Sequence, residues 1–76
     1  MNPDDLIFVG KSNEWLTYTD YEFISEDDCT LVTISYDSDS DTWFGTIRVS
    51  ESADGDFGDD YNLTQDTVDT LVKRIC

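Results

Sequence analysis

The stretch TLVTISYDSDSDTWFGTIRV, residues 30–49, decides the fold of this chain. Residues 30–36 and 42–49 each place apolar or aromatic side chains at every second position, which is typical of a strand with one buried face. The DSDSD run between them, residues 37–41, consists of side chains that stabilise turns by bonding to their own backbone. We therefore predict a β-hairpin. Its buried side would carry Val32, Ile34, Tyr36, Trp43, Gly45, Ile47 and Val49.

Two further strands are predicted upstream of this hairpin. The apolar run LIFV, residues 6–9, ends at Gly10 and indicates a short buried strand, with a helix start at Asp4 and Asp5 as the alternative. Residues 14–24 alternate over a length that predicts a long strand, bent or bulged. The polar run SEDD, residues 25–28, predicts a turn before the hairpin.

A C-terminal helix is predicted over residues 65–75. Thr64 suits the N-cap position, and Leu63 and Val68 stand at the spacing of a hydrophobic staple. The spacing of Val68, Leu71, Val72 and Ile75 gives the helix one apolar stripe. The fold class that follows is α+β, a small antiparallel sheet of about four strands packed against one C-terminal helix.

The segment from residue 50 to residue 61 has neither strand nor helix periodicity. It holds two glycines and five acids, so we predict an acidic loop. The whole chain contains ten aromatic residues, which provide enough apolar surface for folding. Repeats and proline-rich linkers are absent from the sequence. We predict a single domain, residues 1–76.

The charge of the chain restricts its function more than any motif does. Eighteen acids stand against four bases in 76 residues, with no histidine, and the formal net charge is −14. This balance argues against direct binding of nucleic acid and against a membrane span. It also exceeds what solubility requires, because carboxylates repel one another in a compact protein. A positively charged partner is the expectation.

Enzymatic, cofactor and metal chemistry have little support in the sequence. There is no histidine, no glycine-rich phosphate loop and no nucleophile with an evident base, so we expect no catalytic residues, no cofactor and no enzyme activity. Asp37, Asp39 and Asp41 have the spacing that opens a calcium loop. Such a loop then needs glycine where Thr42 stands and glutamate where Arg48 stands, so we expect a solvated turn and no metal.

The cysteines and the N-terminus indicate an intracellular chain. Cys29 and Cys76 could form one bridge, but two cysteines without CxxC spacing or a signal peptide favour reduced thiols. The first residues are acidic and precede only four apolar residues, which differs from a secretory signal. We expect a cytoplasmic location.

The candidate interaction site is the acidic surface itself, together with two aromatic residues of the acidic loop. Phe57 and Tyr61 are either anchors within an acidic rim or tethers of the loop to the core. The full candidate set is Glu26, Asp27, Asp28, Asp37, Asp39, Asp41, Glu51, Asp54, Asp56, Phe57, Asp59, Asp60 and Tyr61.

In size, charge and strand-rich character, the whole chain resembles the small acidic inhibitors of bacteriophages, the DNA-mimic and anti-CRISPR proteins. The resemblance implies an inhibitor that blocks the basic surface of a nucleic-acid-binding protein or ribonucleoprotein complex of the host. Two alternatives remain open. One is an immunity or antitoxin-like protein that plugs a basic nuclease site, and the other is a salt-adapted or calcium-binding acidic domain. The oligomeric state is not predicted.

Overall fold

A computed structural model describes residues 3–50 and 61–75, which form one antiparallel sheet and one helix. The five strands lie in the order of the sequence, so each strand pairs with its chain neighbour. A short 3-10 helix, Pro3–Asp5, precedes the sheet. The strands are β1 (Ile7–Glu14), β2 (Tyr18–Ile24), β3 (Thr30–Asp37), β4 (Thr42–Val49) and β5 (Tyr61–Asn62), and they are followed by the helix α1 (Gln65–Ile75).

The core lies between α1 and one face of the sheet. Phe23, Val32 and Ile34 are fully buried on the sheet side, because they lie on β2 and β3, two of the inner strands of the sheet. Val68 and Leu71 meet them from the helix, and both are also buried. The alternation of residues 30–49 predicts that Val32 and Ile34 of β3 and Gly45 of β4 lie on this face, and all three are buried. The predicted α+β class is confirmed.

Gly45 allows the chain after β5 to approach the sheet closely. Gly45 pairs with Ile34 across β3 and β4, and its carbonyl oxygen accepts a hydrogen bond from the Leu63 N–H at 3.0 Å. A Cβ atom at position 45 would lie 2.7 Å from Ile34 Cδ1 and 2.9 Å from Leu63 Cδ1. Both distances are shorter than a carbon contact of about 3.5–4.0 Å. Packing of Leu63 against the core therefore requires glycine.

Contacts hold α1 at both ends, and those at its N-terminal end are the ones that the sequence predicts. Thr64 Oγ1 accepts from the Thr67 N–H at 3.4 Å, a long N-cap bond, and Leu63 packs against the core. In the last turn, the Arg74 guanidinium donates to the Pro3 carbonyl at 2.7 Å and lies 5.2 Å from the centroid of the Phe23 ring. The helix is thus joined to the start of the chain, and it spans Gln65–Ile75 as predicted.

The N-terminal strands differ from the prediction. The strand predicted at residues 6–9 is present over residues 7–9, where β1 begins, but its short length and its burial are wrong, because β1 continues to Glu14 and only Leu6 is buried. The single long strand over residues 14–24 is also wrong. A turn at residues 15–17 divides it into the end of β1 and the whole of β2, and the Trp15 N–H donates to the Tyr18 carbonyl at 2.6 Å. The register shifts expected of a bulge lie in β1.

The loop predicted from residue 50 to residue 61 is wrong at Tyr61, whereas Ser50 lies outside the strands and helices, after the end of β4. Ser50 is buried, and its N–H donates to the Cys29 carbonyl at 2.7 Å. Tyr61 belongs to β5 and pairs with Ile47 of β4. A two-residue strand is too short to produce a periodic pattern, so the sequence could not reveal it. Residues 51–60 of the predicted loop lie outside the described residues.

Candidate protein-interaction site

The two acidic turns predicted as interaction sites lie at opposite ends of the sheet. Residues 25–29 connect β2 to β3, and residues 38–41 connect β3 to β4. The eight-residue strand β3 separates them by about 23 Å at the rise of an extended chain. The described acids of these two turns therefore do not form one compact cluster.

The turn after β2 is held by its own acidic side chain. Asp27 Oδ1 accepts from Ser25 Oγ at 2.6 Å and from the Cys29 N–H at 3.0 Å. These two hydrogen bonds favour the ionised form and hold the pKa of Asp27 below its usual value. Asp28 has a φ of 61°, a conformation that aspartate tolerates better than most residues. The Asp27 carboxylate is therefore fixed in orientation and charged at neutral pH.

The turn after β3 is held in the same way. Asp37 Oδ1 accepts from the Asp39 N–H at 3.0 Å, and Tyr36 Oη donates to Asp41 Oδ1. The Asp41 hydrogen bond, with lesser contributions from burial and from the negative charges of Asp41 and Asp37, raises the pKa of the Tyr36 phenol. Asp41 has a φ of 53°. Two of the three carboxylates with calcium-loop spacing thus accept hydrogen bonds from the hairpin itself.

In residues 3–50 and 61–75, no group of three or more Cys, Asp or Glu side chains is arranged to hold a metal ion. An open depression beside the β2–β3 turn is lined by Asp5, Ser25, Glu26 and Asp27. It contains carboxylates and a hydroxyl only, so it offers negative charge and no further chemistry.

Asp20 and Glu22 connect the two acidic ends, and the sequence-based site did not include them. They lie on the face of β2 opposite Phe23, where the described residues place no second layer. We call this the open face. Asp20 Oδ1 accepts from Ser35 Oγ at 2.6 Å, which fixes the carboxylate on the sheet surface. The sequence does contain a signal for these two residues, because the alternation of residues 14–24 places Asp20 and Glu22 on the face of the strand opposite Phe23.

The open face therefore carries a row of carboxylates between the two turns. Asp37 pairs with Tyr18 at the start of β2, and Asp20 and Glu22 follow at every second residue, about 7 Å apart. Beyond the end of β2, Glu26 and Asp27 lie in the β2–β3 turn, where they line a depression with Asp5 of the 3-10 helix. Arg48, opposite Leu31, is the basic residue on the described part of this face.

Of the other predicted interaction residues, only Tyr61 is described. It is 64% exposed and outside the buried core, so its ring does not tether the chain to the core. The other predicted residues lie outside the described ranges, namely Glu51, Asp54, Asp56, Phe57, Asp59 and Asp60.

Cys29 has a free thiol beside the β2–β3 turn. Partial burial and the charges of Asp27 and Asp28 raise the pKa of this thiol, so it is protonated at neutral pH. Cys76 lies outside the described residues. In residues 3–50 and 61–75, no helix is long and apolar enough to cross a membrane.

Comparison of the chain with known protein families, with curated proteins and with solved structures found no match. Function is therefore inferred from the residues and their geometry alone.

Proposed function

We propose that this chain is a non-enzymatic inhibitor that occupies the basic nucleic-acid-binding surface of a cytoplasmic host protein or ribonucleoprotein complex. The observation that carries the proposal is the row of carboxylates on the open face, Asp37, Asp20 and Glu22, which lies between the two acidic turns. Hydrogen bonds orient the Asp37 and Asp20 carboxylates.

The positions of the basic side chains leave this row in excess. Lys11 Nζ lies 3.8 Å from Glu14 Oε1 on the outer strand. Lys73 and Arg74 lie in the last turn of α1, on the other side of the sheet. Thirteen acids and four bases fall within the described residues, so these ranges alone carry a net charge of −9. Arg48 is the base on the described part of the open face, where Asp20, Glu22 and Asp37 outnumber it, so this face carries a net negative charge.

The density of charge approaches that of duplex DNA. Fourteen negative charges correspond to roughly 24 Å of B-DNA, which carries one charge per about 1.7 Å. The longest dimension of the protein is 36 Å, so its linear charge density is about two thirds that of the duplex. When such a surface binds a Lys- or Arg-lined channel, the anions bound in the channel are released into solution, as they are when nucleic acid binds. Long-range attraction would also speed association.

The first experiment is displacement from immobilised nucleic acid. A bacterial lysate is bound to DNA-cellulose or RNA-agarose at fixed salt, and the purified chain is applied as eluent at the same salt. We expect release of one or a few nucleic-acid-binding proteins, which mass spectrometry identifies. The dissociation constant of the purified partner is then measured against salt concentration and should weaken as salt increases.

A matched pair of variants tests the carboxylate row. Asp20→Asn with Glu22→Gln removes two charges from the open face, and Asn keeps the oxygen that accepts from Ser35. Loss of two interface ion pairs at about 0.5–1 kcal/mol each weakens affinity roughly 5- to 30-fold. The control, Asp66→Asn with Asp69→Asn, removes two exposed charges from α1 and should retain affinity.

Four outcomes contradict the proposal. Polyglutamate that releases the same proteins at equal charge would show nonspecific competition, and equal weakening by both variant pairs would remove the role of the open face. Absence of release by the wild type, combined with folding only in molar salt or calcium, would favour a salt-adapted or calcium-binding domain. Release of a single toxic nuclease would instead assign the same surface to an immunity-type inhibitor.

A further inference from the structure

Four exposed apolar side chains gather at the end of the sheet that carries the β1–β2 and β3–β4 turns. Leu16 is fully exposed at 104%, and Trp15 is 63% exposed. Tyr18 and Phe44 are 41% and 46% exposed on the neighbouring strands. We call these four residues the apolar end. Their exposure means that folding gains little from them, so another role must account for this much apolar surface.

The composition of the β1–β2 turn is unusual beside the other hairpin turns. The β3–β4 turn consists of serine and aspartate, the β2–β3 turn adds one glutamate and one cysteine to these, and Asp28 and Asp41 provide the left-handed conformations. The β1–β2 turn consists of Trp15, Leu16 and Thr17, although polar residues and glycine suit such a turn better. A leucine at the tip of a tight turn contributes nothing that turn geometry requires.

The apolar end is held in place by its neighbours. The Thr17 carbonyl accepts from the Ser38 N–H at 2.8 Å and from Ser38 Oγ at 3.2 Å, so the two turns at this end are joined. The Tyr18 and Phe44 rings meet edge to face with centroids 6.1 Å apart. A surface that is ordered before binding loses less conformational entropy when a partner binds.

Negative charges surround the apolar end. Asp37, Asp39 and Asp41 lie in the adjoining turn, and Glu14 ends β1 just before Trp15. The basic residue of β1, Lys11, lies beside Glu14. Aromatic side chains within a charged rim are the usual composition of an interaction hot spot. The partner surface must therefore be positive around an apolar recess.

We propose that the apolar end is the anchor of this inhibitor, and that Trp15 and Leu16 insert into an apolar pocket at the edge of the partner's basic surface. This inference rests on the proposed function and adds the residues that select one basic protein among many. A second copy of the chain is disfavoured as occupant because two molecules of net charge −14 repel each other. An anionic membrane is disfavoured for the same reason.

The test compares two doubly substituted variants in the displacement assay and against the purified partner. Trp15→Ser with Leu16→Ser removes the anchor, and Ile7→Ser with Val49→Ser removes two exposed apolar residues near the opposite end of the sheet. Circular dichroism melts confirm that each variant folds. We expect the first variant to weaken binding by at least about 30-fold, the loss of a hot-spot residue pair, and the control to change it little.

The salt dependence separates the anchor from the carboxylate row. Loss of the anchor should leave the slope of log affinity against log salt unchanged, whereas Asp20→Asn with Glu22→Gln should reduce it. Equal binding by the anchor variant and the wild type overturns the anchor and leaves the proposed function standing. Absence of release by the wild type overturns both.

Two further measurements test the other occupants. Sedimentation velocity of the free chain would reveal a dimer, and flotation with phosphatidylglycerol vesicles would reveal membrane binding. A dimer or a vesicle complex that the anchor variant abolishes would assign the apolar end to that occupant and overturn the inference. We expect a monomer by sedimentation and no flotation.

Discussion

Substitution of Gly45 by alanine tests the close approach of Leu63 to the sheet. The new methyl group would lie 2.7 Å from Ile34 Cδ1 and 2.9 Å from Leu63 Cδ1, so each group must withdraw by about 1 Å. Ile34 is fully buried and has no free space beside it. Overpacking of this kind costs about 1–3 kcal/mol. The lower entropy of alanine in the unfolded chain offsets about 0.5–1 kcal/mol.

The expected net loss for Gly45→Ala is therefore about 0–2.5 kcal/mol, with a central value of about 1 kcal/mol. For a domain of this size, the central value lowers Tm by about 4–8 °C. A double-mutant cycle with Ile34→Val identifies the cause, because valine lacks the Cδ1 atom that the new methyl group meets. Ile34→Val alone should cost about 0.5–1.5 kcal/mol. The double variant should be more stable than the sum of the single losses predicts, by about 1 kcal/mol.

Urea denaturation of the wild type and three variants gives the four free energies of unfolding. A parallel cycle with Ile47→Val is the control, because Ile34, Leu63 and the Thr33 carbonyl oxygen all lie nearer to the new methyl group than Ile47 does. That cycle should be additive within about 0.5 kcal/mol. Additivity in the Ile34 cycle, or a stabilising Gly45→Ala, would refute the steric argument.

Two other predictions concern the core and the β3–β4 turn. Leu71→Ala should lower the free energy of unfolding by about 2–5 kcal/mol, because Leu71 is fully buried between helix and sheet. Urea denaturation measures this loss, and Asp69→Ala, at an exposed position of the same helix, is the control. A loss of less than about 1 kcal/mol for Leu71→Ala would contradict this docking of α1. The pKa of Tyr36 lies above 10.0 when folded, so its contribution to stability is complete below pH 10 and is lost as pH rises through the folded pKa. Titration of the ¹³Cζ tyrosine signals measures this pKa, and Asp41→Asn should bring it back toward its ordinary value; no change would show that the hydrogen bond is not the cause.

Residues 30–49 and 63–75 were predictable because they combine periodicity with clear boundary signals. Strand alternation, an aspartate-rich turn, an N-cap threonine and an apolar helix stripe all favoured the structure found. The N-terminal third lacked such agreement. Nothing in the composition of Trp15, Leu16 and Thr17 indicates a turn, so alternation continued through it and concealed the boundary between β1 and β2.

The acidic character of the candidate site was predictable from the sequence, but its location on the fold was predictable only in part. Counting acids finds the turns at residues 26–28 and 37–41, but register is needed to show that they lie at opposite ends of the sheet. Asp20 and Glu22 were overlooked because they stand singly within a strand and not in an acidic run. Their position between the turns depends on the pairing of β2 with β3, which no count of local composition contains.

The order of strands has a consequence for how the chain reaches its structure. Each of the first three pairings joins strands that are consecutive in sequence, and their turns close short loops. Loop closure therefore costs little entropy at each step, and the sheet can grow by successive zippering of hairpins. Strands β2 and β3 acquire their full burial when α1, which follows the sheet in the sequence, docks on them. Until then the apolar face of the sheet is open to solvent, and mutual repulsion between acidic chains keeps these immature molecules apart.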